Sequence, residues 1–368
     1  MKQEIEIRPD SIRDILLIAQ NIVPKKSLLP MLDNVCLIIK NEMLTVRAGS
    51  LETQVTMTVE LPGVEEDFSI AVPAVTFCNV LNSLYVEKVK IIQDEDKNSI
   101  VIKNGRNKYT MVCYPVSDYP ILSIEESVEP IRIDGEAISR YIKKASTLTS
   151  STDVRPQMCS INLEVIDGNF YIMGTDAYRG GVLSIPCTGE MESTLISRDA
   201  GSIMQMIRFN GPTTITKGKN SVMVVCGNSS IVSRVVEAKY VPLFDMFKNK
   251  KEGFISVSRT SMNEALKRIS LFTNKESHKV SLAISGNEMI LVANNEDSGR
   301  SATETLDIVN NGVEDIQLGF NTMYISNMFN LIESIDVNMH ITAVNKPIYF
   351  SSSVENSREH YLALPMIL

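Results

Sequence analysis

The sequence has 368 residues, 44% of them hydrophobic and 22% charged, with a formal net charge of −8. That is ordinary globular usage, and the length is too great for one hydrophobic core, so several domains are expected. The start Met1-Lys2-Gln3-Glu4 lacks the basic start and apolar run of a signal peptide, so none is expected, and the apolar stretch 15–23, interrupted by Gln20 and Asn21, is too short to span a bilayer.

Taken in chain order, the elements repeat at intervals of about 123 residues. A first amphipathic helix is predicted from Ile12, Ile15, Leu16 and Ala19, spaced to share one helical face. A strand pair follows, 35–39 and 43–46, turning at Asn41-Glu42. A second helix is centred on Val80, and strands follow at 88–93, 99–103 and 109–113. After the Pro- and acid-rich stretch 115–130, the pattern begins again with Ile138, Tyr141, Ile142 and Ala145. Strands 161–166 and 170–174 flank Asp167-Gly168-Asn169, and a second helix is centred on Met204. After 242–253, the helix of Met262, Ala265, Leu266 and Ile269 opens the third unit. There, strands 280–284 and 289–293 flank Ser285-Gly286-Asn287, and the closing helix is centred on Met328. The fold class is therefore α+β, with three repeated domains of two helices packed on antiparallel sheets. The boundaries fall at 1–125, 126–249 and 250–368.

No catalytic constellation accompanies this scaffold. His278, His340 and His360 are scattered without metal-ligand spacing. Gly218-Lys219-Asn220-Ser221 lacks the upstream glycine of a phosphate loop and reads as a hairpin turn. Asp94-Glu95-Asp96 reads as a solvated hairpin tip, because adjacent side chains at a strand end do not converge on one ion. Asn228-Ser229-Ser230 is a turn. The cysteines at 36, 78, 113, 159, 187 and 226 form no CxxC pair and are expected to be reduced and mostly buried. No cofactor, metal site or enzyme activity is expected.

The threefold repeat carries a set of ordered segments: Leu29-Pro30-Met31-Leu32-Asp33-Asn34, Thr152-Asp153-Val154-Arg155-Pro156, Gly174-Thr175-Asp176-Ala177-Tyr178-Arg179, Gly319-Phe320-Asn321, and the end Leu364-Pro365-Met366-Ile367-Leu368. Together they resemble, from end to end, the bacterial DNA polymerase III beta-subunit family, the replicative sliding clamps. The resemblance implies a head-to-tail homodimer closed into a six-domain ring. Such a ring encircles double-stranded DNA without sequence preference and tethers the replicative polymerase. It also implies a clamp loader and other clamp-motif proteins as partners, no membrane association, and a cytoplasmic, nucleoid-associated location.

The basic residues that would face DNA are Arg13, Lys25, Lys26, Arg140, Lys143, Lys144, Arg198, Arg208, Lys267 and Arg268. With Ile142 and Ala145 facing the core, Arg140, Lys143 and Lys144 are expected on the opposite face of their helix.

By the same resemblance, a partner's short extended peptide docks at the boundary of the second and third units. The matching residues there are Met158, Thr175, Ala177, Tyr178, Arg179, Gly180, Pro242 and Met246, with Val241 as an alternative to Pro242. The third unit supplies Asn321, Tyr324, Asn345, Pro347, Leu362, Leu364, Met366 and Ile367. Three positions depart from the family: Tyr178 where His is frequent, Gly180 where Leu is, and Ile367 where Arg is. The order Tyr240-Val241-Pro242-Leu243 is also offset from the usual aromatic-proline order. The subunit seam is expected to join Lys108, Tyr109 and Met111 to Leu271 and Phe272 through paired edge strands. Two other classes stay open: a repeat scaffold that binds proteins but not DNA, and an enzyme using Asp176 and Arg179 at a domain boundary.

Overall fold

The computed structural model describes residues 2–24, 27, 29–125, 128–207, 209–248, 253–295 and 298–368, with the Lys2 side chain excepted. The chain begins with β1 (Lys2–Ile7), α1 (Pro9–Ile22), β2 (Asn34–Lys40), β3 (Met43–Gly49), β4 (Thr53–Glu60), β5 (Phe68–Pro73), α2 (Ala74–Ser83), β6 (Val89–Asp94), β7 (Ser99–Asn104) and β8 (Asn107–Val112). The order recurs as β9 (Ile131–Asp134), α3 (Gly135–Leu148), β10 (Ser160–Ile166), β11 (Asn169–Thr175), β12 (Arg179–Pro186), β13 (Thr194–Ser197), α4 (Arg198–Met206), β14 (Pro212–Lys217), β15 (Ser221–Cys226) and β16 (Ser229–Arg234). The short α5 (Leu243–Phe247) precedes β17 (Phe254–Ser258), α6 (Arg259–Ile269), β18 (Lys279–Ser285), β19 (Glu288–Asn295), β20 (Arg300–Asp307), β21 (Val309–Asn311), β22 (Ile316–Asn321), α7 (Thr322–Leu331), β23 (Asp336–His340), β24 (Ile348–Ser352) and β25 (Glu359–Ala363).

Each predicted helical stripe is buried. Ile12, Ile15, Leu16 and Ala19 of α1 face the core, as do Met262, Ala265, Leu266 and Ile269 of α6. Ile138, Tyr141, Ile142 and Ala145 of α3 do the same. Each such isoleucine, leucine or methionine side chain stabilises the fold by ~1.5–3 kcal/mol relative to exposure. Pro9 sits in the first turn of α1, where a missing N–H costs nothing. Ser258 caps α6, its hydroxyl accepting from the Ser261 N–H. The β2–β3 turn places Asn41 and Glu42 at φ 50° and 56°, the left-handed pair that matches hairpin twist.

The chain divides into two compact units. The first comprises residues 1–139 and 199–235, the second 140–198 and 236–368. The first holds a sheet in the order β1-β6-β7-β8 and an eight-stranded sheet in the order β5-β2-β3-β4-β16-β15-β14-β9. All pairings are antiparallel, and β4 joins β16 with Val55 opposite Ile231, so strands of successive repeats share one sheet. The Pro-rich stretch is held in place here. Gln54 Nε2 donates to the Pro120 carbonyl at 2.7 Å, and Gln54 Oε1 accepts from the Leu122 N–H at 2.8 Å.

The second unit holds a sheet in the order β20-β19-β18-β22 and a nine-stranded sheet in the order β13-β10-β11-β12-β25-β24-β23-β17-β21. Strand β12 is the junction, with Gly180 opposite Leu362 and Gly181 opposite Tyr361. Successive residues point to opposite faces. A Cβ on Gly181 would lie 2.6 Å from Leu148 Cδ1 of α3, so α3 can approach this closely only where the strand has no side chain. On the other face, Met173, Val182, Tyr349 and Leu362 form a floor that Leu243 of α5 completes. Helices α3 and α5 thus cover opposite faces of β12. Cys36, Cys78, Cys113 and Cys226 are buried, Cys159 and Cys187 half-buried, and all are free thiols. Burial pushes Cys36 and Cys78 up to about 12.

Candidate functional site

The turn from β11 to β12 is built around Asp176. Its Oδ1 accepts from the N–H groups of Tyr178 and Arg179, both at 3.0 Å, and its Oδ2 accepts from Arg179 Nε at 2.9 Å. Thr175 Oγ1 donates to the Arg179 carbonyl at 2.7 Å and accepts from the Ala177 N–H at 3.1 Å. These bonds hold Ala177 at φ 75°, a conformation L-residues rarely adopt. The Arg179 guanidinium lies 5.1 Å over the Tyr324 ring, and Tyr178 stacks on Tyr324 at 6.1 Å and 19°. Asp176 and Arg179 therefore form a closed structural pair.

The C-terminal residues complete this surface. The Leu364 N–H donates to the Tyr178 carbonyl at 2.8 Å, and the Met366 N–H to the Gly319 carbonyl at 2.8 Å. Between the tail and the third unit's strands lies a groove of about 450 Å³, lined by Gln317, Leu318, Val344, Asn345 and residues 364–368. Its rim is apolar and open. Ile367 is 93% exposed, and Val344 and Leu368 are likewise exposed; Tyr178, 57% exposed, and Met323 are exposed outside its lining. Exposed apolar side chains around a groove make it a candidate interaction surface.

The structure brings Tyr178, Arg179, Tyr324, Asn345, Leu364, Met366 and Ile367 to this surface. It withholds others. Met158 and Leu362 are buried at 4% and 2% exposure, Leu362 as part of the floor beneath Leu243. Asn321 spends its amide inside the fold: Oδ1 caps α7 by accepting from Met323 N at 2.9 Å and Tyr324 N at 3.4 Å, and Nδ2 donates to the Ser277 carbonyl. It positions Tyr324. Pro347 is half-buried and Pro242 exposed. Met246 is half-buried, its carbonyl accepting from Tyr349 Oη at 2.9 Å. Sequence reasoning missed Leu243, which fills the space that Gly180 leaves; the offset order at 240–243 was its only signal.

The basic set divides as well. Arg140 and Lys143 of α3 and Lys267 of α6 are exposed. Lys144 is a correction: it is 7% exposed, its Nζ 2.7 Å from Glu359 Oε2 and 3.1 Å from Glu333 Oε1. The reason is positional. Tyr141, Lys144, Ala145 and Leu148 stand at i, i+3, i+4 and i+7, so Lys144 lies within the buried stripe. Arg13 is half-buried, with Nη2 2.7 Å from Asp10 Oδ1 and its guanidinium 4.8 Å over Tyr85. Arg268 grips Glu304 of β20 through two bonds of 2.8 Å and holds that carboxyl below its ordinary range. Arg198 opens α4 half-buried. Lys25, Lys26 and Arg208 lie outside the described residues.

The seam residues lie beside sheet edges. Among the described residues, β8 pairs only with β7, and β20 only with β19. Strand β8 carries exposed Lys108 and half-buried Tyr109 and Met111, while Leu271 just past α6 is 71% exposed beside half-buried Phe272.

Residues 3–123 match the family model of the DNA polymerase III beta subunit, N-terminal domain, and residues 246–367 that of its C-terminal domain. The chain belongs to the DNA polymerase III beta-subunit family. The beta sliding clamp of Haemophilus influenzae is 22% identical over 344 residues, covering 92% of this chain and 93% of that protein. The Escherichia coli K12 beta sliding clamp is likewise 22% identical over 344 residues. The sliding clamp of Pseudomonas aeruginosa, solved bound to griselimycin, superposes with a TM-score of 0.92 at 22% identity, over 99% of both chains. The Caulobacter crescentus clamp does so at 0.90 and 17% identity, over 100% of both. The fold is that of a sliding clamp, and the chain is a processivity subunit rather than an enzyme. Among the described residues no cluster of His, Cys, Asp or Glu could hold a metal ion, and no helix is long and apolar enough to cross a membrane.

Proposed function

We propose that this chain is a DNA sliding clamp that closes as a head-to-tail dimer around duplex DNA and tethers a polymerase to it. The observation that carries the reading is the family match at both ends of the chain, 3–123 and 246–367. On this reading the three repeats, 1–125, 126–249 and 250–368, are the clamp domains. A closed ring cannot leave DNA sideways, so dissociation of the polymerase is replaced by sliding. The edge of β8 in one subunit pairs with the edge of β20 in the next, with Leu271 packed at the seam.

Arg140, Lys143 and Lys267, together with Arg13, Arg198, Lys25, Lys26 and Arg208, supply weak, sequence-blind phosphate contact. Lys144 is not among them. Arg268 serves DNA less than it braces β20 through Glu304. The surface around Tyr178, Tyr324, Leu364, Met366 and Ile367 docks an extended peptide from the polymerase, the clamp loader and other clamp-motif proteins. The cell compartment that follows is the bacterial cytoplasm, at the nucleoid.

The test is retention on nicked circular against linear duplex DNA after loading. A clamp stays on circles and runs off linear ends. Equal loss from both would sink this reading in favour of a protein-binding scaffold.

A further inference from the structure

The second unit holds another cavity, of about 500 Å³, at the end of β12 away from the β11–β12 turn. Strand register builds its floor. Tyr171 of β11 stands opposite Ser184 of β12, and Val182, two residues before Ser184, stands opposite His360 of β25. Opposed residues of an antiparallel pair share a face, as do residues two apart on a strand. Three strands therefore present these side chains together. Phe244 and Phe247 of α5 add two more rings to the lining. Tyr171 meets Phe244 edge to face at 4.9 Å, and the Phe247 ring lies 6.3 Å from that of His360. The cavity is distinct from the C-terminal groove, with which it shares no lining residue.

The charge of the lining is one-sided. Among the described residues no carboxylate lines the cavity, although the chain carries a net −8. Its two cations differ. Lys248 Nζ lies 2.7 Å from Asp245 Oδ1 and 5.1 Å over the Phe244 ring, with Asp167 in electrostatic reach, so its charge is largely met. Arg358 is exposed, and among the described residues no carboxylate pairs with it. It is nonetheless held in place. The Ser184 N–H donates to the Arg358 carbonyl at 3.0 Å. Asn169 Oδ1 accepts from Arg358 Nη1 at 3.0 Å, while Asn169 Nδ2 donates to the Asp167 carbonyl at 3.0 Å. Nε and Nη2 of the guanidinium are left to meet a ligand.

We infer that this cavity is a binding site for a small aromatic anion, a flat ring joined to a phosphate or a carboxylate. The ligand's chemistry follows from the lining. The rings of Tyr171, Phe244, Phe247 and His360 offer aromatic contact to a flat ring. The Arg358 fork matches the oxygens of a phosphate or carboxylate. The Tyr171 and Ser184 hydroxyls, which have no hydrogen-bond partner among the described residues, can bond ring substituents. An aliphatic acid would leave the rings unused, and an uncharged ring would leave the guanidinium unmet. The volume lies within the range of small-molecule sites, about 300–1,000 Å³.

The experiment titrates the full-length protein, with tyrosine and histidine selectively labelled for NMR. The probes are adenosine monophosphate and phenylacetate, their uncharged counterparts adenosine and phenylacetamide, and inorganic phosphate. At least one of the two aromatic anions is expected to bind at about 1 mM or below and to move the ring signals of Tyr171 and His360. Which of them does so tells whether the site takes a phosphate or a carboxylate. The uncharged counterparts and inorganic phosphate are expected to bind about tenfold or more weaker. Arg358→Gln, a surface change that leaves the fold intact, should cost the aromatic anion about tenfold or more as well. No binding of either aromatic anion by the wild type overturns the inference. So does inorganic phosphate or an uncharged ring binding as tightly, since the site would then read only half of the ligand. Unchanged affinity in Arg358→Gln, or bound ligand with unmoved Tyr171 and His360 signals, overturns it too.

Discussion

Lys144 Nζ lies 2.7 Å from Glu359 Oε2, and the same carboxylate oxygen accepts from Tyr361 Oη at 2.7 Å. Residues of α3 and β25 thus meet in a nearly dry charge pair, with side-chain exposures of 9% and 17%. Removing one member of a buried pair leaves the other charge unpaired and costs about 3–5 kcal/mol. Lys144→Met is therefore expected to lower stability by about 3 kcal/mol in urea denaturation. Combining it with Glu359→Gln recovers most of the loss, since no buried unpaired charge then remains; Glu333, the other partner of Lys144, is 67% exposed and stays solvated. A single variant as stable as the wild type would show the pair to be idle.

Among the described residues four carboxyls are held below their ordinary range by a cation bonded to them, Glu4 by Lys90 being the first. Arg155 holds Asp153 down to about 2, Arg268 lowers Glu304, and Lys144 lowers Glu333. Because each folded pKa is depressed, the unfolded chain takes up protons first as pH falls. The stability these groups contribute is present above the ordinary values of 3.8 and 4.5. It is lost progressively as pH falls through the folded values toward about 2. These pairs are largely solvent-exposed, so stability should drop only modestly with acid in that window, and Arg268→Gln should flatten the slope there. An unchanged slope in that variant refutes the assignment to Glu304.

Much of this was readable from residue spacing. The helical stripes were, because a 3.6-residue period in apolar positions has one packing solution. The hairpin turns were, because few residues tolerate positive φ. Lys144 was misread because its charge was weighed above its place in the 141, 144, 145, 148 stripe. Asn321 was assigned to the docking site, but spacing does not show that its amide is consumed in capping α7. Leu243 was out of reach for a different reason: its meaning depends on Gly180, 63 positions away, and only tertiary packing joins them.

Deleting Pro365–Leu368 removes one wall of the groove and the strand-like bond from Met366 to Gly319. Peptide binding is expected to be lost and the dimer retained, since none of these residues lies on β8 or β20. Tyr178→Ala is milder. It removes one plate of the Tyr178–Tyr324 stack, worth about 0.5–1.5 kcal/mol beyond area. Fluorescence anisotropy reads both variants; unchanged affinity after the deletion refutes the site.

Leu271 is 71% exposed at the end of α6, next to the short turn that carries Phe272. A monomer gains nothing from an aliphatic side chain there, and a charge in its place should cost the isolated subunit no more than about 0.5 kcal/mol. At a closed seam the same charge would be desolvated against the partner's apolar residues without a counter-ion, at a cost of several kcal/mol for each of two symmetric contacts. Leu271→Glu should therefore shift native mass from dimer to monomer, leave the thermal midpoint of the monomer near that of the wild type, and abolish retention on circular DNA. A variant that remains dimeric would place the seam elsewhere, and a variant that is monomeric yet retained on circles would remove ring closure from the mechanism.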